Sequence, residues 1–281
     1  MSKQLPKDQY VQVGNIRTRF WALGDGESPA ILLHGLGGYL ENWEDNVAAI
    51  AQSRRVYALD LVGFGRSDKP HVKYSIPYLT EFVHEFMIVQ DIDRTALIGE
   101  SMGGAIALQF ALQYPQLVEK MVLAASVGFG KEVSIYLRIM SLPILGDMFT
   151  RPSREGTAQL LRQLFHDQDL ITDDWIEEDF EMSSLQGAQR CLLSALRSMG
   201  NIWGVRSVVY QQILNRLEVI EVPTLVIWGA QDRILPVRHA HQAVKRLPNA
   251  RIHIFDSCGH VPNIERAEEF NALVLDFLSN G

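Results

Sequence analysis

The segment Gly99-Glu100-Ser101-Met102-Gly103 places a serine between two glycines, directly after the apolar run TALI and directly before a stretch with helical character. In the context strand, G-x-S-x-G, helix, the turn is so sharp that the flanking residues need almost no side chain. The turn lifts the serine above the strand end, where the N-terminal N–H groups of the helix favour negative charge. The pattern predicts a nucleophilic Ser101. A glycine-rich helix start that simply packs closely on a sheet is the alternative.

A serine hydroxyl is a poor nucleophile unless a base removes its proton and an acid orients that base. His260, in IFDSCGHVPN, follows the last apolar run of the chain, and Asp232, in TLVIWGAQD, follows the run before it. Six other histidines lack such a position and are interpreted as solvated or structural, whereas His34, in AILLHG, is expected to brace its loop. The sequence therefore predicts a triad in the chain order Ser101, Asp232, His260.

The glycine-rich stretches could instead hold a dinucleotide, but the spacing argues against it. The run that begins at Gly35 lacks the third glycine of the G-x-G-x-x-G motif, and the stretch GFGRSD has Asp68 where that third glycine should be. No Walker-type motif occurs in the sequence. The two cysteines, Cys191 and Cys258, have no metal-ligand spacing and are too few for a disulfide framework, so we expect reduced thiols. We expect no cofactor and no metal.

The elements that must position these residues alternate along the chain. Short runs of bulky apolar residues read as strands buried on both faces: AILLHG, RRVYALDLVG, TALIGES, EKMVLAAS, TLVIWGAQD and RIHIFDSCGH. An opening hairpin is predicted about Gly14 and Asn15. Between the runs lie the predicted helices Leu40 to Ala51, Pro77 to Gln90, Met102 to Gln113, Val237 to Arg246 and Ala267 to Leu278. The alternation predicts an α/β fold with a mostly parallel central sheet covered by helices.

One interval breaks this alternation. Between residues 127 and 217 no strand pattern stands out, and apolar residues recur at helical spacing. We expect an inserted helical cap over 127–217, with residues 1–126 and 218–281 forming the core. Met140 and Trp203 in the cap, and Val261 beside His260, are candidates for a substrate pocket, although such side chains more often form the core of a subdomain.

Taken together, the motifs resemble those of the α/β-hydrolase fold superfamily, in the branch of capped enzymes with carboxylesterases and carbon–carbon bond hydrolases. The resemblance covers nearly the whole chain and rests on five stretches in order: HGLGGYLENW, DLVGFGRSD, GESMGG, GAQDRILP and GHVPNIERAEEF. It implies a central sheet with an inserted helical cap. It also implies an oxyanion hole formed by the backbone N–H groups of Leu36 and Met102, on a loop and an elbow whose glycines are Gly35, Gly99 and Gly103.

The residue types narrow the reaction within that branch. Epoxide hydrolases and haloalkane dehalogenases carry an aspartate at the elbow, so Ser101 favours acyl transfer to serine followed by hydrolysis. Carbon–carbon bond hydrolases usually have asparagine before the serine and tryptophan after the histidine, where this chain has Glu100 and Val261. Glu100 is expected to be a solvated or hydrogen-bonded elbow residue, with a functional acid as the alternative.

The favoured function is therefore a cofactor-independent carboxylesterase acting on small to medium apolar esters. A carbon–carbon (meta-cleavage product) hydrolase with the same triad and a weakly catalytic ligand receptor on the same fold stay open as alternatives.

Composition excludes several other classes. The chain has 281 residues, 47% hydrophobic and 21% charged, which is typical of a globular protein. Its net charge of −7 argues against a nucleic-acid partner, because phosphates need a basic surface. The N-terminus MSKQLPKDQY lacks the apolar core of a signal peptide, and no stretch approaches the ~20 apolar residues of a membrane span. We expect a cytoplasmic protein whose partner is a small molecule.

Overall fold

The computed structural model describes residues 5–280, and its central element is a twisted sheet. Within this range eight strands pair in the order β1-β2-β4-β3-β5-β6-β9-β10, and β4, β3, β5, β6, β9 and β10 run parallel. The hairpin β1–β2 adds antiparallel strands at one edge and turns at Gly14 and Asn15, as predicted. The strands are β1 Gln9–Val13, β2 Ile16–Leu23, β3 Pro29–Leu33, β4 Arg55–Leu59, β5 Thr95–Glu100, β6 Val118–Ala124, β7 Gly200–Asn201, β8 Gly204–Val205, β9 Thr224–Gly229 and β10 Ala250–Phe255.

Helices cover both faces of the sheet, since its parallel strands carry apolar side chains on both sides. The structure assigns α1 Val47–Ile50, α2 Ile76–Val89, α3 Met102–Gln113, α4 Ile135–Met140, α5 Leu145–Phe149, α6 Arg154–Leu164, α7 Asp173–Ser184, α8 Ala188–Met199, α9 Ser207–Leu214, α10 Arg238–Val244, α11 Pro262–Glu265 and α12 Ala267–Ser279. One core cluster packs β-strand residues against α2, α3 and α10, and a second packs the other face against α1 and α12. The predicted α/β fold is therefore observed.

Two local predictions differ from the structure. The predicted helix from Leu40 to Ala51 is broken: a 3-10 turn covers Leu40–Trp43 and α1 covers Val47–Ile50. The interval 127–217, which we call the cap segment, carries α4 to α9 but also the two-residue strands β7 and β8, which pair as a small hairpin. Strands this short leave no alternating pattern in a sequence.

Parallel strands bring their carboxyl ends to one edge of the sheet, and the loops of interest all leave that edge. Leu36 follows β3, Ser101 follows β5, Asp232 follows β9 and His260 follows β10. In open α/β sheets ligands bind at this edge. Cys191 and Cys258 are free and buried, and no helix in the described part of the chain is long and apolar enough to cross a membrane.

Candidate active site

Ser101 occupies a strained turn between β5 and α3. Its φ of 52° and ψ of −110° are rare for a residue with a side chain, and such strain costs on the order of 1–3 kcal/mol. The flanking glycines make this turn sterically feasible. A Cβ on Gly99 would collide with the backbone of Gly103, and one on Gly103 would collide with the carbonyl of Leu33. The N–H of Ser101 donates to Ala124 at 2.9 Å, which ties the turn to the end of β6.

The predicted triad residues meet at hydrogen-bonding distance. Ser101 Oγ lies 3.0 Å from His260 Nε2, and His260 Nδ1 lies 2.8 Å from Asp232 Oδ2. The Nδ1–H group can donate to the carboxylate, which leaves Nε2 free to accept the serine proton. All three side chains are buried, His260 to 3% exposure. The arrangement can carry a proton from a hydroxyl to a base.

Backbone donors hold the acid of this set in place. Asp232 Oδ1 accepts hydrogen bonds from the N–H groups of Ile234 at 2.8 Å and Leu235 at 2.9 Å. These contacts fix the carboxylate, so that its second oxygen faces the imidazole. Burial alone would lower the pKa of His260, but the charge of Asp232 and its hydrogen bond, with a contribution from Glu100, raise it above the usual value.

The loop that carries His260 is tied to the cap segment. The His260 N–H donates to the Leu164 carbonyl at 2.7 Å, and Glu265 accepts from the N–H groups of Gly259 and His166, each at 2.7 Å. The position of the imidazole therefore depends on α6 as well as on β10.

The loop after β3 carries Leu36, whose backbone N–H is the predicted second donor of an oxyanion hole. His34 braces this loop: its Nδ1 lies 2.8 Å from the Gly35 carbonyl, and its Nε2 accepts from the Leu61 N–H at 3.1 Å. Burial lowers the pKa of His34 to about 4, which keeps the ring neutral. Met102 is the first residue of α3, where N–H groups have no intrahelical acceptor. Leu36, Ser101 and Met102 line one cavity together.

Glu100 is buried beside the imidazole, so the residue that was expected to be solvated or hydrogen-bonded is not solvated. Its side chain is about 10% exposed, and Oε1 lies 3.4 Å from His260 Nε2. The carboxyl also packs so closely on Gly35 that a Cβ there would collide with it. Burial raises the pKa of Glu100 to about 7, although His260 opposes the rise. Alternation along β5 offered no warning, because every residue of that strand is buried.

Two cavities meet at Ser101. The large cavity has a volume of about 170 Å³, and its lining includes Ser101, His260, Glu100, Leu36, Met140, Phe165, Trp175, Asp179 and Val261. The small cavity has a volume of about 50 Å³ and is lined mostly by apolar side chains, among them Met102, Val127, Val133, Leu196 and Met199. Leu36, Ser101, Leu137 and Ile234 line both.

The structure corrects one pocket prediction. Met140 and Val261 line the large cavity, but Trp203 lines neither cavity and is 72% exposed at the tip of the β7–β8 hairpin. Its size and aromaticity suggested a pocket, yet a hairpin tip points a side chain into solvent. Asp179 was not singled out from the sequence, although it stands four residues after Trp175 in α7 and so shares its helical face.

Comparison with known proteins gives the family. A sequence profile described as alpha/beta hydrolase fold matches residues 29–267. The chain belongs to the α/β-hydrolase fold family. It is 33% identical over 276 residues to 2-hydroxy-6-oxo-6-phenylhexa-2,4-dienoate hydrolase of Burkholderia cepacia, with 96% of this chain and 93% of that protein covered.

Solved structures of related hydrolases superimpose over nearly the whole chain. A mutant of the meta-cleavage product hydrolase from Pseudomonas fluorescens IP01, complexed with acetates, matches with a TM-score of 0.82 and 26% identity and covers 98% of each chain. A membrane phospholipase A, described as a bacterial virulence factor, matches with a TM-score of 0.77 and 27% identity over 97% of this chain and 86% of that one.

No group of three or more His, Cys, Asp or Glu side chains that could hold a metal ion occurs in residues 5–280.

Proposed function

We propose that this hydrolase cleaves carboxylic esters through an acyl-enzyme formed on Ser101, with His260 as the general base and acid and Asp232 as its orienting partner. The observation that carries the proposal is the continuous hydrogen-bonded set from Ser101 Oγ to Asp232, with distances of 3.0 and 2.8 Å, at the wall of the large cavity. A nucleophile, a base and an orienting acid within hydrogen-bond reach are the requirements of acyl transfer to serine.

In the acylation step Ser101 Oγ attacks the ester carbonyl carbon while its proton passes to His260 Nε2. The buried Asp232 carboxylate stabilises the imidazolium that forms. The backbone N–H groups of Leu36 and Met102 donate to the carbonyl oxygen as it becomes an oxyanion. One such donor typically supplies ~3 kcal/mol to the transition state.

The positions of the two cavities suggest how a substrate lies. His260 Nε2–H must protonate the leaving alcohol, so that alcohol has to be on the side of the imidazole. His260 lines the large cavity and not the small one. The alcohol part therefore belongs in the large cavity, and the acyl chain belongs in the small apolar cavity beside Met102. A volume of about 50 Å³ favours a short acyl group.

Deacylation reverses these roles. After the alcohol departs, His260 is neutral again and removes a proton from a water molecule that enters the large cavity. The water oxygen attacks the acyl carbon, the oxyanion forms between the same two amides, and the protonated imidazole returns a proton to Ser101 Oγ as the acid is released.

The charges of the large cavity favour an ester over an anionic substrate. Glu100 and Asp179 contribute carboxyl groups to its wall, and among its described lining residues Arg151 is the one lysine or arginine, with an exposed side chain. A dienoate that must hold its carboxylate near Ser101 would meet Glu100 at close range. Val261 provides no hydrogen-bond donor beside His260.

A carbon–carbon bond hydrolase is the second candidate, since the relative from Burkholderia cepacia is named for cleavage of a dienoate and is 33% identical over 96% of this chain. The triad would serve both reactions. Carbon–carbon cleavage also needs polar groups that hold the substrate carboxylate and enolate oxygens.

Kinetics on one enzyme preparation separate the two candidates. We expect kcat/KM for p-nitrophenyl acetate to exceed that for any meta-cleavage product by at least ~10²-fold, which corresponds to about 2.7 kcal/mol in transition-state binding. Equal or reversed efficiencies would transfer the assignment to carbon–carbon hydrolysis. If wild-type protein turns over neither substrate class, catalysis is contradicted and a ligand receptor is favoured.

A further inference from the structure

One face of α7 brings a carboxyl group and an indole to the wall of the large cavity. Trp175, Asp179 and Ser183 are spaced by four residues, which places them on the same side of a helix, and all three line the cavity. Trp43 from the core is fully buried and lines the same cavity. The cavity lining therefore includes one acid of α7 and two indoles.

Asp179 has no cationic partner. Within residues 5–280 no lysine, arginine or histidine lies within ion-pair distance of its carboxylate. The preceding residue, Glu178, is also acidic, and burial raises its pKa to about 7, with Glu41 adding to the rise and Arg19 opposing it. Burial raises the pKa of Asp179 to about 6, with the Tyr39 side chain opposing the rise. When this carboxyl group ionises, the side chains of residues 5–280 supply it with no counter-ion.

Aromatic rings line the cavity together with Asp179. Trp175 contacts Phe165 edge to face, with ring centroids 4.9 Å apart, and both rings line the cavity. The negative face of an indole attracts quaternary ammonium groups, and the attraction grows where water is excluded. A carboxylate without an ion-pair partner adds a long-range attraction for the same cation.

Among the residues that line the cavity, Arg151 carries a positive charge, which opposes the binding of a cation. Its side chain is exposed to solvent, where charge interactions are strongly screened. Glu100, on the other side of the cavity, adds a second carboxyl. The net charge of the residues that line the cavity is therefore negative when both carboxyl groups are ionised.

We propose that the α7 wall formed by Trp175, Asp179 and Ser183 is a subsite for a cationic alcohol, so that the preferred substrates are short-chain esters of amino alcohols or quaternary ammonium alcohols. The inference rests on the proposed function, because the alcohol part lies in the large cavity only if His260 protonates it there. It deepens that proposal by naming the charge class of the substrate.

A pair of isosteric esters tests the subsite. Acetylcholine and 3,3-dimethylbutyl acetate share one shape and differ in a positive nitrogen against a neutral carbon. We expect wild-type protein at pH 8 to show kcat/KM at least ~10-fold higher for the cationic ester, the order of a desolvated cation–π contact. Asp179→Asn should reduce this ratio to near one. Glu181→Gln, which removes an exposed acid from the same helix outside the cavity lining, should leave the ratio unchanged.

A second measurement needs no variant. In wild-type protein the ratio of the two kcat/KM values should rise as the pH passes from 5 to 8, because Asp179 and Glu100, the two carboxyl groups of the cavity wall, both ionise in that range. If thermal melting shows that Asp179→Asn does not fold, Trp175→Leu takes its place, because loss of the indole from the same wall should also lower the ratio at pH 8. A ratio at or below one at every pH, or a ratio that Glu181→Gln reduces as strongly as Asp179→Asn, would overturn the subsite while ester turnover stands. Absence of any ester turnover would overturn the proposed function and the subsite with it.

Discussion

Replacing Asp232 with asparagine changes one atom of the carboxylate and leaves its shape. The side chain is fully buried, so the amide must use the partners already in place. At the Oδ1 position two backbone N–H groups, from Ile234 and Leu235, donate at 2.8 and 2.9 Å. At the Oδ2 position the partner is His260 Nδ1, at 2.8 Å.

Those partners dictate how the amide is oriented. An NH₂ group at the Oδ1 position would face two N–H donors, so the carbonyl oxygen of Asn must remain there. The NH₂ group then points at His260 and makes Nδ1 an acceptor. The imidazole proton is forced onto Nε2, which can no longer accept the proton of Ser101.

The expected loss is roughly 10⁴-fold in kcat for Asp232→Asn, equivalent to about 5.5 kcal/mol, since the tautomer held by the amide is the wrong one. Stability should change little, because the amide keeps the three hydrogen bonds that the carboxylate makes. Steady-state hydrolysis of p-nitrophenyl acetate measures the first quantity, and thermal melting measures the second.

Asp256→Asn is the matched control for this prediction. Asp256 is exposed and lies four residues before His260 in the same loop. Its loss should alter kcat by less than ~2-fold, as is typical of exposed sites. A loss below ~10-fold in Asp232→Asn, or an equal loss in the control, would refute the assignment of the orienting acid.

Three further changes test other parts of the structure. Glu100→Gln should raise the melting temperature relative to wild type more at pH 8 than at pH 5. The pKa of Glu100 is raised to about 7 in the folded protein, so protonated Glu100 stabilises the wild-type fold, and this stabilisation is lost as pH rises from about 4.5 through 7. An equal difference in melting temperature at both pH values would contradict a buried Glu100. Gly103→Ala should lower the free energy of unfolding, measured in urea, by about 1–3 kcal/mol or more, since its Cβ would collide with the Leu33 carbonyl. The control Gly156→Ala in α6 should lower the free energy of unfolding far less, and an equally small decrease in both variants would show that the elbow is not tightly packed. Trp203→Ala should leave kcat/KM for p-nitrophenyl acetate within ~2-fold of wild type, because the indole is exposed and outside both cavities. A roughly tenfold decrease would indicate that Trp203 contacts the substrate.

The sheet could be predicted because its strands are buried on both faces and therefore read as continuous apolar runs. Thr95–Glu100 and Thr224–Gly229 are buried throughout, and each was recognised by this property. Chain order along such a sheet also predicts which loops share an edge, so Ser101, Asp232 and His260 could be grouped before any distance was known.

Features set by neighbours distant in sequence could not be predicted in the same way. The burial of Glu100 depends on Gly35 and His260, which reach it from β3 and β10. The exposure of Trp203 depends on a hairpin of two-residue strands that leaves no periodicity. In the cap segment, helical spacing indicates which residues share a face, but not whether that face meets the core or a cavity.

Covalent labelling of Ser101 tests the central claim most directly. An alkyl p-nitrophenyl phosphonate transfers its phosphonyl group to an activated serine with release of p-nitrophenolate, and the adduct is not hydrolysed further, so the test does not depend on which bond the enzyme normally cleaves. We predict one equivalent of adduct by intact-protein mass spectrometry, located at Ser101 by peptide mapping, with loss of ester turnover in proportion to labelling and no adduct in Ser101→Ala. Labelling at another residue, or turnover in Ser101→Ala equal to that of wild type, would contradict the account.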